Sequence, residues 1–208
     1  MSKTSHIRLF NKIAPIYGWF FRSQKKKYYR LIKRFKKTLD LPNDTTFLDI
    51  GCGTGAFCQA LSAHGFDATG LDASKSMLKT AKKKTDLSAD RLINADATET
   101  LPFKDDSFDV VFASYVAHGL NAENRHKLYQ NMQRLAKKYV ILHDYNETKR
   151  IAVSIVETLE RGYYFEFIKR VKHELNTCEN NQQPCFESVD IYRVNKHASW
   201  YVCQVKKT

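Results

Sequence analysis

The feature that most constrains this 208-residue chain is a short apolar, β-branched run, Thr45 to Ile50 (TTFLDI), that stops at Gly51, Gly53 and Gly55, three of its eight glycines. A strand that empties into such a cluster lets the backbone bend tightly and approach a ligand with no Cβ in the way. A helix is predicted next, from Gly55 to His64, with Gly65 as its stop. The alternation then continues. A strand over Asp67–Leu71 leads to a helix capped by Ser74, with Met77, Leu78 and Ala81 inward, and to a strand over Arg91–Ala95. FDVVFA at 108–113 and YVILH at 139–143 read as fully buried strands on either side of a helix over about 121–137. A mainly helical stretch from Thr148 to Asn176 carries the aromatic cluster Tyr163, Tyr164, Phe165 and Phe167. Two β-rich runs, Phe186–Val194 and Ala198–Val205, flank the short Asn195-Lys196-His197 turn and suggest an antiparallel hairpin. Units in this order specify an α/β fold: a doubly wound, seven-stranded, mostly parallel sheet with right-handed crossovers and a C-terminal antiparallel hairpin.

Charge is concentrated at the N-terminus. The chain carries a formal +12, and residues 1–41 hold twelve Lys or Arg against one acid, Asp40, so the rest is nearly neutral. From Gln24 to Leu39 the residues Tyr28, Leu31, Ile32, Phe35 and Leu39 form one helical stripe, and the other faces are almost all basic. Upstream, Ile7 to Phe21 is rich in aromatics and interrupted by Pro15, which predicts a short helix, a bend and a second helical turn. We read residues 1–41 as a basic helical lid and 42–208 as the sheet domain. Lys25, Lys26, Lys27, Lys33, Lys36 and Lys37 then face water, the phosphates of an RNA, or an anionic membrane with the Tyr28/Leu31/Phe35 stripe inserted. No apolar run approaches the roughly 18 residues of a membrane span, and Met1-Ser-Lys-Thr-Ser-His lacks the apolar centre of a secretory signal, so a soluble, cytoplasmic protein is expected. Five cysteines without C-x-x-C or Cys/His ligand spacing point to reduced thiols and to no metal site. Oligomeric state is not legible.

In an open α/β sheet the ligand lies at the carboxyl ends of the strands, where Leu48-Asp-Ile-Gly-Cys-Gly-Thr-Gly55 falls. The glycines alone also satisfy a dinucleotide fingerprint, with Asp72 suited to a ribose in either case. Asp49 discriminates. A carboxylate about 5 Å from a phosphate charge costs about 3 kcal/mol at an effective dielectric of 20. The same carboxylate favours a cationic ligand, and S-adenosylmethionine is one, with a sulfonium and an ammonium at one end and adenosine at the other.

LDIGCGTG at 48–55, GLDAS at 70–74 with Met77-Leu78, NADATETLPF at 94–103 and FDVVFASYVAHGL at 108–120 together resemble the class I S-adenosylmethionine-dependent methyltransferases of the small-molecule type, which have a Rossmann-like fold. The resemblance implies that Asp49, Gly51, Gly53 and Gly55 hold the methionine part of the cofactor. It implies further that Asp72 binds the ribose, that Asp96 and the Ala97 backbone take the adenine with Met77 packed beside it, and that Ser114 lines the same site. FNKIAPIYGWF at 10–20 resembles the opening of ubiquinone/menaquinone-type methyltransferases, in which an aromatic closes over the cofactor; Tyr17 matches it, while Gly18 replaces an acid common there.

Methyl transfer from a sulfonium is an in-line displacement, so alignment in a dry pocket is the main requirement and a general base depends on the acceptor. Tyr115 and His118 after the fourth strand are the candidate catalytic residues, with His143 and Asp144 after the fifth. Nothing like Asn/Asp-Pro-Pro-Tyr/Phe follows the fourth strand, and the one Pro-Cys pair, Pro184-Cys185, lies elsewhere, which disfavours the nucleic-acid amino and cytosine-C5 enzymes of this fold. A small-molecule acceptor is the expectation. RNA methylation through the basic helix, cofactor binding without catalysis, and a NAD oxidoreductase are the alternatives.

Overall fold

A computed structural model describes residues 3–146, 163–177 and 186–206. The chain divides into two compact units, Met1–Leu101 and Pro102–Thr208.

In the first unit the bend expected at Pro15 does not occur: one helix, α1 (Lys3–Thr38), runs through it. The reason is a continuous seam. Ala14, Gly18 and Phe21 are buried, Lys25 and Tyr28 half-buried, and Ile32, Phe35 and Leu39 buried, at alternating steps of four and three. The stripe visible at 28–39 thus extends through the proline region without a break in phase. An interior proline costs about 3 kcal/mol. Burial of Phe21, Ile32 and Phe35, at about 1.5–3 kcal/mol each, exceeds that cost. The seam packs on α2 (Ala56–Ser62) and α3 (Lys75–Lys84), with the Tyr28 ring edge-on to Phe57 at 5.2 Å. Gly18 permits the approach to α3, because a Cβ there would lie 3.2 Å from Thr80 Cγ2. Phe35 is 2% exposed, so insertion of the Tyr28/Leu31/Phe35 stripe into a membrane is ruled out by its burial against the protein itself.

Strand β1 (Thr46–Ile50) pairs in parallel with β2 (Asp67–Asp72), and β2 with β3 (Leu92–Asn94). β3 is shorter than the expected 91–95 because Ala89–Arg91 winds into a 3-10 turn. The Arg91 guanidinium there donates to Asp67 Oδ2 at 2.9 Å and Thr69 Oγ1 at 3.1 Å. Gly55 precedes α2 at φ 77, and a Cβ on it would come within 2.7 Å of Thr85 Cγ2 and 3.2 Å of Ala81 Cβ. Gly55→Ala is therefore expected to lower stability by about 2–4 kcal/mol, from left-handed strain plus overpacking. A thermal melt checks this, and a loss below about 0.5 kcal/mol, the range of ordinary surface changes, would mean that neither constraint is real.

The second unit begins with β4 (Phe108–Ser114), which pairs in parallel with β5 (Ala136–Tyr145). β7 (Ala198–Gln204) pairs antiparallel with β5 and with β6 (Ser188–Arg193), which is the expected hairpin. Helix α4 (Ala122–Leu135), capped by Asn121, passes into β5 with no loop. A helix to 137 and a strand from 139 were expected. Pairing of Ala136 with Phe108 starts the strand earlier, a long-range contact with no local signal. α5 (Tyr163–Asn176) buries Tyr164, Phe167, Ile168, Val171 and Leu175, so the aromatic cluster is partly core. The rest of the helical stretch expected from Thr148, together with Cys178 and Pro184-Cys185, lies outside the described residues. Arg125, fully buried on α4, forks onto Glu174 of α5 at 2.7 and 2.9 Å and donates to Leu120 O at 2.6 Å. That clamp sets α5 against α4.

The strand order is β3-β2-β1-β4-β5-β7-β6 in one seven-stranded, mostly parallel sheet. No helix among the described residues is long and apolar enough to cross a membrane.

Candidate cofactor and acceptor site

Within residues 1–101 the glycine loop folds back on β2. Gly51 N and Cys52 N both donate to Leu71 O, at 2.7 and 3.0 Å, and Gly51, Gly53 and Gly55 all have positive φ. Asp72, at the end of β2, accepts from Gly53 N at 2.8 Å through Oδ2 and from Ser74 N at 2.7 Å through Oδ1. Two backbone donors thus hold the carboxylate in one orientation. Burial still raises its pKa, an effect those two hydrogen bonds partly offset. Ser74 caps α3 by accepting from Met77 N, and Met77 is buried. Asp96, after β3, accepts from Thr98 N at 2.8 Å and Thr98 Oγ1 at 2.7 Å, so its carboxylate is also oriented. Ala97 beside it is half-buried.

Asn11 was not singled out by the sequence reading. From α1 its Oδ1 accepts from Ser74 Oγ at 2.7 Å and Ser76 N at 3.3 Å, which ties the N-terminal helix to the residues immediately after Asp72. The signal was present in FNKIAPIYGWF, where only the aromatic was taken. Tyr17, on the same helix, is 39% exposed and lies edge-on to Phe10.

Asp49 is the unusual member. It is 1% exposed, and its Oδ2 accepts from the Cys58 thiol at 3.3 Å. Its Oδ1 is buried and has no hydrogen-bond partner. Loss of hydration, with Asp72 nearby adding to it, raises the carboxyl to about 8 despite the thiol bond. A buried carboxylate oxygen without a donor is unfavourable unless a ligand supplies one. An ammonium meets that need with an N–H donor, and a phosphate does not. The residues present therefore fit S-adenosylmethionine. Cys52, in the glycine loop, shares a hydrogen bond with Cys58; these two and Cys203 are buried free thiols.

Residues 102–208 bring the remaining candidates together. Ser114 Oγ lies 3.1 Å from His143 Nδ1. Burial lowers His143 to about 4, so it is neutral at pH 7. Tyr115 follows with φ 54, an uncommon conformation for a bulky residue. Its ring packs 4.9 Å from His143 and 5.1 Å from Tyr145. His118 sits in a 3-10 turn, Ala117–Gly119. Its Nδ1 is 2.9 Å from Asp144 Oδ1, and its backbone N donates to Asp144 Oδ2 at 3.3 Å. Asp144 is 1% exposed and also accepts from Tyr145 N at 2.8 Å. A carboxylate oxygen accepts from the ring N–H facing it, which places the imidazole proton on Nδ1 and makes Nε2 the basic nitrogen. Tyr145 lies edge-on to His118 at 4.8 Å and to Tyr164 at 5.0 Å. The result is an aromatic wall beside an oriented imidazole.

A sheet of this order, with a glycine loop tied to Asp72 through Gly53 and a buried Asp49 just before it, fits an α/β domain that takes an adenosine-containing, positively charged cofactor. Residues 48–142, a little under half of the chain, match the methyltransferase-domain family. Over 216 aligned residues, 96% of each chain, the protein is 24% identical to an uncharacterized methyltransferase of Alkaliphilus oremlandii. Over 107 residues, 44% of each chain, it is 39% identical to demethylmenaquinone methyltransferase of Staphylococcus aureus, so it spans less than half the length of that relative. In structure it resembles a candidate S-adenosyl-L-methionine-dependent methyltransferase of Methanococcus maripaludis, with a TM-score of 0.70 at 18% identity over 95% of this chain and 94% of that one. The protein is an S-adenosylmethionine-dependent methyltransferase.

Proposed function

We propose that the protein methylates a small-molecule acceptor, with the cofactor held by residues of the first unit and the acceptor proton taken by His118. The observation that carries the cofactor assignment to particular residues is the buried, donorless Oδ1 of Asp49 beside the glycine loop. When bound, the sulfonium supplies a methyl carbon activated for in-line displacement, with the electron pair of the broken S–C bond going to sulfur. Asp49 accepts from the cationic methionine end, and Asp72, fixed by Gly53 N and Ser74 N, accepts from the ribose hydroxyls. Asp96, Ala97 and Met77 take the adenine side, and Tyr17 on α1 closes over the cofactor as part of the N-terminal lid. The acceptor atom forms the new bond to carbon, and a proton it sheds passes to His118 Nε2, with Asp144 stabilising the resulting imidazolium. Tyr115 and Tyr145 form the wall that positions the acceptor. That compact wall and the absence of a nucleic-acid methylation motif after β4 both support a small acceptor.

Asp72→Ala is expected to weaken S-adenosylmethionine binding about 100-fold or more, since it removes charge-assisted ribose contacts and releases Gly53 from β2. Calorimetric titration reads this directly. For the acceptor, labelled methyl transfer into cell extract, fractionated into RNA, lipid and small metabolites, should place the label in small metabolites. Label confined to RNA would sink the small-acceptor reading while leaving the cofactor assignment intact.

A further inference from the structure

We propose that the outward face of α1 is a docking surface for an anionic lipid bilayer, anchored by Ile16, Trp19 and Phe20. These three side chains are 51%, 83% and 57% exposed and stand at positions i, i+3 and i+4, on the side of the helix opposite the buried Ala14/Gly18/Phe21 seam. Large apolar residues clustered this way on a soluble surface mark a contact site. Along the same side, one to five turns further on, Lys26, Lys27, Arg30 and Arg34 are all exposed. The helix contains no acidic residue, and none of these four cations takes part in an ion pair among the described residues. The partner is therefore anionic.

The apolar triplet decides which anion. On an RNA duplex the cations would find phosphates, but Ile16, Trp19 and Phe20 would find nothing to bury in. On a single strand, stacking aromatics are interleaved with the cations. Here the apolar residues gather at one end, include an aliphatic chain, and give way to cations along the helix. An interfacial helix uses every one of these features. Trp and Phe enter the boundary between headgroups and acyl chains, and Lys and Arg lie over the anionic headgroups. The α1 helix lies on such a surface rather than crossing it, since no described helix is long and apolar enough to span one. The buried seam stays on α2 and α3 throughout, so docking needs no unfolding of the lid.

The full chain is titrated with vesicles of equal parts phosphatidylglycerol and phosphatidylcholine, with pure phosphatidylcholine vesicles and with structured RNA, at low and high salt. The protein has two tryptophans. Trp200 is 3% exposed and Trp19 83%, so a blue shift of fluorescence reports Trp19 entering an apolar phase. Binding to the anionic vesicles with that shift, weakened about tenfold or more by salt or by neutral lipid, is the expected result. Ile16→Ser with Phe20→Ser, which keeps the probe, should weaken it about tenfold, as should Lys26→Glu with Arg30→Glu. All four positions are exposed, and unchanged thermal melts confirm that the variants fold. Retention on RNA without vesicle binding would assign the surface to nucleic acid and overturn the proposal. So would binding to neither, or vesicle binding that leaves Trp19 unshifted and survives the double serine change.

Discussion

His118→Ala lowers kcat about 100- to 10,000-fold for an acceptor that must lose a proton, with cofactor affinity unchanged. This is the range that general-base removal covers. The expectation rests on Asp144. Its carboxylate, 1% exposed, holds both the imidazole Nδ1 and the backbone N of His118, so the ring is fixed in position and tautomer before any substrate arrives. Asp144→Asn keeps the shape but offers an amide where only an acceptor fits. It should lower kcat by about tenfold or more through the wrong tautomer, again with cofactor binding intact. Single-turnover rates alongside calorimetric titration separate the two effects. If both variants keep kcat within about threefold of the parent, the pair is a structural hydrogen bond and not a base with its orienting partner.

The affinity for S-adenosylmethionine should rise with pH up to about 8. In the cofactor-free protein Asp49 holds its proton to about 8, chiefly because it is stripped of water. A cationic ligand requires the ionised form. Below about 8, binding must therefore expel a proton, and Kd improves about tenfold per pH unit at most before levelling off. Calorimetry at pH 7 in two buffers of different ionisation enthalpy should detect about one proton released per cofactor bound. A flat affinity between pH 6 and 8, with no proton release, would remove Asp49 from the cationic end of the site.

The same carboxyl sets the stability of the cofactor-free protein. Its folded pKa lies above its ordinary value of 3.8, so between about 4 and about 8 the folded chain keeps a proton that the unfolded chain releases. Stability then falls as pH rises through that window and is level above it. Saturating cofactor should remove the slope.

How much of this was legible beforehand follows from the range of the interactions involved. The strand–glycine–helix unit, the Ser74 cap and the C-terminal hairpin are written in neighbouring residues, and each was read with its boundaries nearly right. The Pro15 region was misread because local rules weigh a proline heavily. What overrides it is a seam of buried residues on α1, three of which, Ala14, Gly18 and Phe21, lie around the proline at the spacing that Ile32 and Phe35 already showed. The premature start of β5 at Ala136 came from its pairing with Phe108, 28 residues earlier in the chain. In the site, Asp49, Asp72 and the glycines stood out by type and spacing. Asn11, Arg125 and the Asp144–His118 contact did not, since each joins residues at least 26 apart.

The sequence by itself determined the order of strands and helices and the cofactor class, because these depend on residue type at short spacing along the chain. Only the tertiary structure decided which side of the basic helix is buried, which carboxylate lacks a donor and which histidine is oriented. Burial and hydrogen bonding belong to atoms that meet only after folding, and they convert a list of polar residues into one neutral histidine, one oriented histidine and one buried carboxyl group with an oxygen that has no donor.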